Sequence, residues 1–225
     1  MIKSGYMPLL LFYRPELLFL RLMTAVSSSP AASPLIWPSS LPLVLASKSP
    51  RRHELLGLMG LPFSVELKDT DESYPEGLSP ADIALHIAQK KAHAFGAIKD
   101  KFIITADTIV ALDHQILGKP ENRAHAQEML RLLSGAKHRV YTGVALAYQN
   151  KISVFYDLTE VYCREVSDAE IDFYIDQYQP FDKAGSYGIQ DWWGLTVVQR
   201  IEGSYTNVMG LPTEKLYQVL SGFSF

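Results

Sequence analysis

A short basic loop between an apolar run and a helix-like stretch is the feature that most limits how this chain can fold. Residues 43–46 are apolar, residues 47–52 follow them, and leucines then recur at helical spacing. This order predicts a strand, a loop and a helix, with Ser49 as the cap and Pro50 in the first turn. The N-terminus of such a helix attracts anions through its free N–H groups. The segment adds three cations, Lys48, Arg51 and Arg52.

Composition places the chain among globular proteins of ordinary size. It has 225 residues, 48% of them hydrophobic, and a net charge of -3, which suits one sizeable domain. A general nucleic-acid binder would be strongly basic, so nucleic acid is not expected as a partner. The lone cysteine, Cys163, excludes an internal disulfide and predicts a buried thiol in a reducing, cytoplasmic compartment.

The first 41 residues differ from the rest. Their apolar runs are broken by Arg14, Pro15, Glu16 and Arg21 and do not approach the ~20 residues of a membrane span. We expect a disordered extension, or one translated from a start codon placed too early, and favour this over a targeting segment. The folded domain is expected at 42–225, without membrane association.

Helical and strand patterns alternate irregularly along the domain, with hairpins among them, which predicts a mixed α/β fold and not a doubly wound parallel sheet. No glycine-rich dinucleotide or Walker-type loop occurs. The predicted helices are 50–59, 79–95, 124–133, 168–178 and 212–220. The predicted strands are 43–46, 63–67, 102–104, 109–112, 138–148, one or two strands within 152–166, and 195–201.

Two further segments give the basic loop a context. Residues 105–108, with Asp107 among them, close an apolar strand, and residues 182–190 form a charged loop punctuated by glycines. Together the three segments resemble the Maf family of nucleoside-triphosphate pyrophosphatases, over about residues 43–223. The resemblance implies an elongated mixed sheet flanked by helices, similar to inosine-triphosphate pyrophosphatases, with two lobes and a central cleft. It also implies a homodimer.

Hydrolysis of a nucleoside triphosphate needs neutralised charge, a positioned water and a base. Asp107 is the candidate base, and the alternative is a structural carboxylate at a strand end; the resemblance favours the base. Arg51 and Arg52 are candidate phosphate clamps, because a guanidinium donates two parallel hydrogen bonds. One of them could instead lie on an exposed helix face. Ser47 could donate its hydroxyl to the same phosphates.

Two lysines are further candidates for substrate binding. Lys91 lies in a helical stripe with small apolar residues, so it must reach a polar group or extend to solvent. The resemblance implies that Lys91 contacts phosphate, with Lys90 as the weaker choice. It also implies a substrate contact for Lys119. Without the resemblance, the Gly-Lys-Pro loop that contains Lys119 would not indicate a function.

A divalent metal, Mg²⁺ or Mn²⁺, is expected because phosphoryl chemistry uses hard cations held by oxygen ligands. The acidic stretch around Glu72 would be taken for solvated surface from the sequence alone. The resemblance implies a metal-side role for Glu72, and Asp107 is the second candidate ligand. The six histidines share no metal spacing and are expected on the surface or on helix faces.

Three positions separate subtypes in the family that the sequence resembles. Arg51 directly after the proline, Thr108 after the aspartate and Gln190 in the last motif agree with the dTTP/UTP type. The resemblance therefore implies cleavage of dTTP, UTP and modified pyrimidine nucleotides to the monophosphate and pyrophosphate, as nucleotide-pool housecleaning. Thr105 and Asp191 depart from common family residues.

Two other functions stay open at this point. A regulator of septum formation could bind nucleotide without turning it over, and would need no catalytic base. A nucleic-acid binder acting through Arg51 and Arg52 is disfavoured by the charge balance. Trp192 and Trp193 could stack a base, although adjacent tryptophans are more often packing residues.

Overall fold

The structure is a computed structural model, and it describes residue 35 and residues 37–149 and 151–223. The extension expected at 1–41 therefore lies mostly outside the described residues. Within them, Leu41 is buried and Trp37 packs edge-to-face on Phe102 at a ring separation of 5.2 Å. Across the described part of the chain, no helix combines the length and apolar character needed to span a membrane.

In this part of the chain seven strands form one mixed sheet in the order β2-β1-β3-β5-β6-β7, with β4 paired to β3. The first three strands pair in parallel, and the other pairings are antiparallel. The strands are β1 (Leu43–Leu45), β2 (Ser64–Val65), β3 (Phe102–Leu112), β4 (Gln115–Leu117), β5 (Lys137–Tyr148), β6 (Lys151–Cys163) and β7 (Val198–Glu202).

The helices flank this sheet, which confirms the predicted mixed α/β class. Two 3₁₀ turns, Pro180–Asp182 and Ala184–Ser186, lie in the charged loop. The helices are α1 (Pro50–Leu58), α2 (Pro80–His93), α3 (Arg123–Leu133), α4 (Asp168–Tyr178), α5 (Trp192–Thr196), α6 (Tyr205–Met209) and α7 (Thr213–Ser221).

Local chemistry explains most of the helix boundaries. Ser79 accepts a hydrogen bond from the backbone of Asp82, and Ser167 forms a complete capping box with Glu170. Ser49 occupies the cap position of α1, but its side chain makes no capping hydrogen bond, contrary to the prediction. The hydroxyl of Ser47 accepts from the Ser49 N–H instead.

Several strand predictions were wrong in detail. The runs on either side of Asp107 are one strand, so Asp107 lies in the middle of β3 and not at its end. Residues 195–197 belong to or follow α5, and β7 begins only at Val198. The 63–67 run pairs over just Ser64–Val65. Helices α5 and α6 were not predicted, because five-residue helices carry too little periodicity to be recognised.

Alternation along β3 divides its side chains between two layers. On one face Ile103 and Ile109 pack against α2, where Thr105 donates to the Ala88 carbonyl at 2.6 Å. On the other face β3 residues such as Phe102 and Ile104 belong to the main core. That core includes Leu56 of α1, Leu130 of α3, Ile171 of α4 and Leu216 of α7.

A gap in the pairing of β3 creates the space for a site. On one edge β5 pairs continuously with residues 103–111 of β3. On the other edge β1 pairs only as far as Ile104 and β4 begins only at Val110. Between these strands the edge of β3 around Asp107 and Thr108 has no strand partner in the described part. Consecutive side chains point to opposite faces, yet both of these lie beside the same open edge.

Gly143 on β5 lets α2 approach the sheet, and its replacement is expected to destabilise the fold. A Cβ there would lie 2.5 Å from the backbone of Ala84 in α2, so Gly143→Ala must push helix and sheet apart. We expect it to lower the free energy of unfolding by about 2–3 kcal/mol, measured by urea denaturation. Gly57→Ala is the matched control, because a Cβ there meets no described residue within 4 Å, and the change should stabilise α1 by about 0.5–1 kcal/mol. Equal denaturation midpoints for Gly143→Ala and the wild type would contradict the close packing.

Candidate active site

A cavity of about 590 Å³ lies at the open edge of β3. Among the described residues, seven cationic and four acidic side chains line it, so their summed charge is positive and suits a polyphosphate. The cationic residues are Lys48, Arg51, Arg52, Lys68, Lys91, Lys119 and Lys183, and the acidic residues are Asp69, Glu72, Asp107 and Asp182.

Lys91 links the two acidic residues that were predicted for catalysis and metal binding. Its ammonium donates to Asp107 Oδ1 at 2.7 Å and pairs with Glu72 Oε1 at 2.9 Å. The side chains of Lys91 and Asp107 are only 17% and 13% exposed, so water screens their attraction weakly. Lys91 therefore does not extend to solvent, and the neighbouring Lys90 pairs with Asp71 outside the cavity wall.

Charge around Glu72 keeps this carboxylate ionised. Partial burial opposes ionisation, but the hydrogen bond and charge of Lys91, with help from Lys119 and Arg52, outweigh it and lower the pKa of Glu72. Glu72 thus lines the cavity although its side chain is about half exposed, whereas the sequence alone would have suggested only a solvated acidic surface.

The donor chemistry of Glu72 and Asp107 fits a divalent cation. Their carboxylates converge on one ammonium, so one small cation could contact both. Mg²⁺ is commonly held by one or two carboxylates together with substrate phosphates. Among the described residues no group of three or more His, Cys, Asp or Glu side chains could hold a metal. Water and phosphate oxygens would complete the coordination of such a cation.

Arg52 is held by three acceptors from three parts of the chain. Its Nε donates to the Gly210 carbonyl at 2.7 Å, Nη2 to Thr108 Oγ1 at 2.9 Å and Nη1 to Ser47 Oγ at 3.3 Å. Burial lowers the pKa of Arg52, and the Asp107 charge opposes this. A guanidinium stays protonated in either case. Arg52 is thus a fixed positive charge and not an exposed helix-face residue.

The hydroxyl of Thr108 is itself held from behind. It lies 3.0 Å from the hydroxyl of Thr142 on β5, which donates to the Asn207 carbonyl at 2.9 Å. Asn207 is fully buried and binds β5 through its amide. Thr142 and Asn207 were missed by sequence analysis, because a buried threonine in an alternating strand looks like any other core position.

Arg51 is held by the charged loop. Its Nη1 donates to Asp182 Oδ2 at 3.1 Å, and Lys183 donates to the other oxygen of Asp182 at 2.7 Å. Burial of Asp182 opposes ionisation, but Lys183 and Arg51 outweigh it and lower the pKa of this carboxylate. Asp182 therefore accepts hydrogen bonds from N–H donors of Arg51 and Lys183 that could otherwise bind a phosphate.

Gln190 faces the cavity with an unsatisfied group. Its side-chain Oε1 is buried and has no hydrogen-bond partner among the described residues. A buried acceptor without a partner is costly unless a ligand satisfies it. Lys119 also lines the cavity, and its contact with substrate stays a prediction.

Other residues named from the sequence lie at the cavity rim or in the core. Lys48 lines the cavity but is mostly exposed, and Cys163 is buried, which raises the pKa of its thiol to about 11. His138 was expected on the surface, but it is buried in β5 and bonds the Tyr187 hydroxyl at 2.8 Å. Burial lowers the pKa of His138 to about 4. The side chains of Trp192 and Trp193 pack on Tyr174 and do not line the cavity.

Comparison with known proteins agrees with this arrangement. A family model described as Maf-like protein matches residues 42–223. A dTTP/UTP pyrophosphatase of Phocaeicola vulgatus is 50% identical over 181 residues, which are 79% of this chain and 94% of the relative. The dTTP/UTP pyrophosphatases of Bacteroides thetaiotaomicron and Porphyromonas gingivalis are 48% and 46% identical, over 78% and 80% of this chain and 92% and 94% of their own lengths. The chain belongs to the Maf family.

Proposed function

We propose that this protein hydrolyses dTTP and UTP to the monophosphate and pyrophosphate. One observation carries the proposal: Asp107 and Arg52 line the same cationic cavity at the open edge of β3. Lys91 holds the Asp107 carboxylate, and hydrogen bonds such as that to Thr108 fix the Arg52 guanidinium. The curated relatives named dTTP/UTP pyrophosphatase support the same reaction. They do not favour a regulator without turnover, since each is named as an enzyme.

In this proposal the cations bind the phosphates and Asp107 takes the proton of the attacking water. An oxygen–phosphorus bond forms at the α-phosphorus, and the bond from that atom to the bridging oxygen breaks. The electron pair leaves with pyrophosphate. Arg51, Arg52 and Lys119 neutralise the phosphate oxygens, and Ser47 donates its hydroxyl to them. Lys91 keeps the Asp107 carboxylate oriented.

Glu72 and Asp107 would hold a divalent cation, Mg²⁺ or Mn²⁺, which supplies further charge neutralisation at the phosphates. Lys91 already gives these carboxylates a positive neighbour. The cation would therefore share the two acids with Lys91, and its charge would add to that of the lysine.

Base selection is assigned to Gln190, whose amide offers one acceptor and two donor hydrogens. These complement the N3–H and O4 of thymine and uracil. Thr108 leaves room for the nucleotide base, because this side chain is small and its hydroxyl is turned toward Arg52. Modified pyrimidine nucleotides fit the same edge, so we propose housecleaning of the nucleotide pool as the cellular role. The homodimer and the cytoplasmic location stay predictions.

Pyrophosphate release from a nucleotide panel tests the proposal. With Mg²⁺ or Mn²⁺ present, we expect release from dTTP and UTP at a kcat/KM at least about 10-fold above that for dGTP, dATP and 7-methyl-GTP, since a site built to hydrogen-bond one base edge rejects others strongly. Tight binding of dTTP without pyrophosphate release under either metal would refute the enzymatic proposal. It would favour the regulatory alternative.

A further inference from the structure

The hydroxyl of Tyr174 ties together the two ends of the turn that carries Gln190. Tyr174 lies on α4 and is fully buried. Its oxygen accepts from the Gly188 N–H at 3.0 Å and donates to Asp191 Oδ2 at 3.1 Å. Gln190 lies between these two contacts in the chain, so one hydroxyl holds the turn on both sides of it.

The turn itself leaves little freedom for any other shape. Its ends are closed by a backbone hydrogen bond from the Asp191 N–H to the Gly188 carbonyl at 3.2 Å. The Asp191 carboxylate folds back so far that a Cβ on Gly188 would lie 2.5 Å from it. Ile189 packs into the core while Gln190 lines the cavity. The side chains of this turn are thus divided between core and ligand space.

The anchor of this turn is rigid and keeps its proton. The Tyr174 ring stacks on Tyr178 at 5.2 Å and packs on Trp193 at 5.5 Å between ring centres. Burial raises the pKa of Tyr174, so the neutral hydroxyl can donate one hydrogen bond while it accepts another. A buried ring with two satisfied hydrogen bonds has no alternative rotamer available at low cost.

The same carboxylate connects the turn to the phosphate end of the cavity. Lys183 Nζ lies 3.8 Å from Asp191 Oδ2 and 2.7 Å from Asp182 Oδ1. Asp182 in turn pairs with Arg51. The Gln190 turn and a phosphate-clamp candidate are therefore parts of one charged network.

We infer that Tyr174 and Asp191 are positioning residues that set nucleotide selectivity by fixing the Gln190 turn. The inference rests on the proposed function. An amide on a loose turn could rotate or shift to satisfy purine edges, whereas a fixed amide presents one donor and acceptor pattern. Neither residue needs to touch the nucleotide, since each acts through the turn.

The test measures kcat and KM for dTTP and dGTP in Tyr174→Phe and Asp191→Ala. We expect each change to reduce the dTTP to dGTP ratio of kcat/KM about 10-fold, mainly through a higher KM for dTTP, because hydrogen bonds that hold the turn are lost. Asp191→Asn keeps an acceptor oxygen for Tyr174 and should retain most of the ratio. Tyr178→Phe is the matched control, because it removes a hydroxyl from the same helix that makes no hydrogen bond within the described residues.

The outcomes separate this inference from the function on which it rests. If the wild type releases no pyrophosphate from any nucleotide, the proposed function fails first. If the wild type is selective and Gln190→Ala loses selectivity, but Tyr174→Phe and Asp191→Ala lower only the melting temperature, the inference is wrong. If Tyr174→Phe does not fold, Asp191→Ala and its asparagine counterpart decide the question alone.

Discussion

Replacement of Asp107 by asparagine is expected to reduce kcat for dTTP about 10³-fold, within the range for loss of a general base. Asparagine has nearly the same shape as aspartate but cannot take a proton from water. Lys91 would keep its pair with Glu72 at 2.9 Å, so the cavity wall should persist. Nucleotide binding should therefore survive, and the KM for dTTP should change far less than kcat. Steady-state pyrophosphate release and binding of a non-hydrolysable dTTP analogue measure the two effects.

Asp113→Asn is the control for this change. Asp113 is an exposed turn residue at the end of the same strand, with a positive φ of 50° that asparagine tolerates. It should have the activity of the wild type. If Asp107→Asn kept more than about a tenth of the wild-type kcat, Asp107 would not be the base, because such a loss is smaller than general-base catalysis provides.

Arg52→Lys is expected to lower kcat/KM for dTTP about 10²-fold although the charge is conserved. The guanidinium of Arg52 donates in three directions, to Gly210, Thr108 and Ser47. An ammonium on a flexible stem cannot reproduce this planar set, nor the parallel donation to phosphate oxygens. Loss of its orientation should therefore weaken both phosphate binding and the transition state.

Arg131→Lys provides the comparison for Arg52→Lys. Arg131 is about half exposed and makes one surface ion pair with Asp168, so its exchange should leave kinetics unchanged. Equal kcat/KM in Arg52→Lys and the wild type would mean that charge alone suffices at this position. The ordered network around Arg52 would then have no catalytic importance.

Lys91 shows how much the sequence alone could predict about the site. The helical stripe through Ala84, Ala88, Lys91 and Phe95 indicated that this lysine must reach a polar group or extend to solvent, and its ammonium bonds Asp107 on β3. Periodicity cannot name the partner, however. The carboxylates of Asp107 and Glu72 are 16 and 19 residues away in sequence. The packing of α2 on β3 brings Lys91 to Asp107, and the loop that precedes α2 brings Glu72 to the same ammonium.

The sequence by itself determined the local elements and the chemical inventory of this protein. Capping residues at Ser79 and Ser167, alternation along β5 and the three motifs depend on neighbours in the chain, so they were recognisable without coordinates. The same motifs were enough to recognise the family. Short helices and exact strand ends were missed because their stability comes from tertiary packing and not from local propensity.

Only the tertiary structure decided how these parts form a site. Asp107 and Thr108 point to opposite faces of β3, and they reach one cavity because β1 stops at Leu45 and leaves the strand edge open. Arg51 meets Asp182 across 131 residues, and Tyr174 meets Asp191 across 17. Such contacts depend on the order of strands and on which helix covers which face. They follow from burial of the whole core, which no short window of sequence contains.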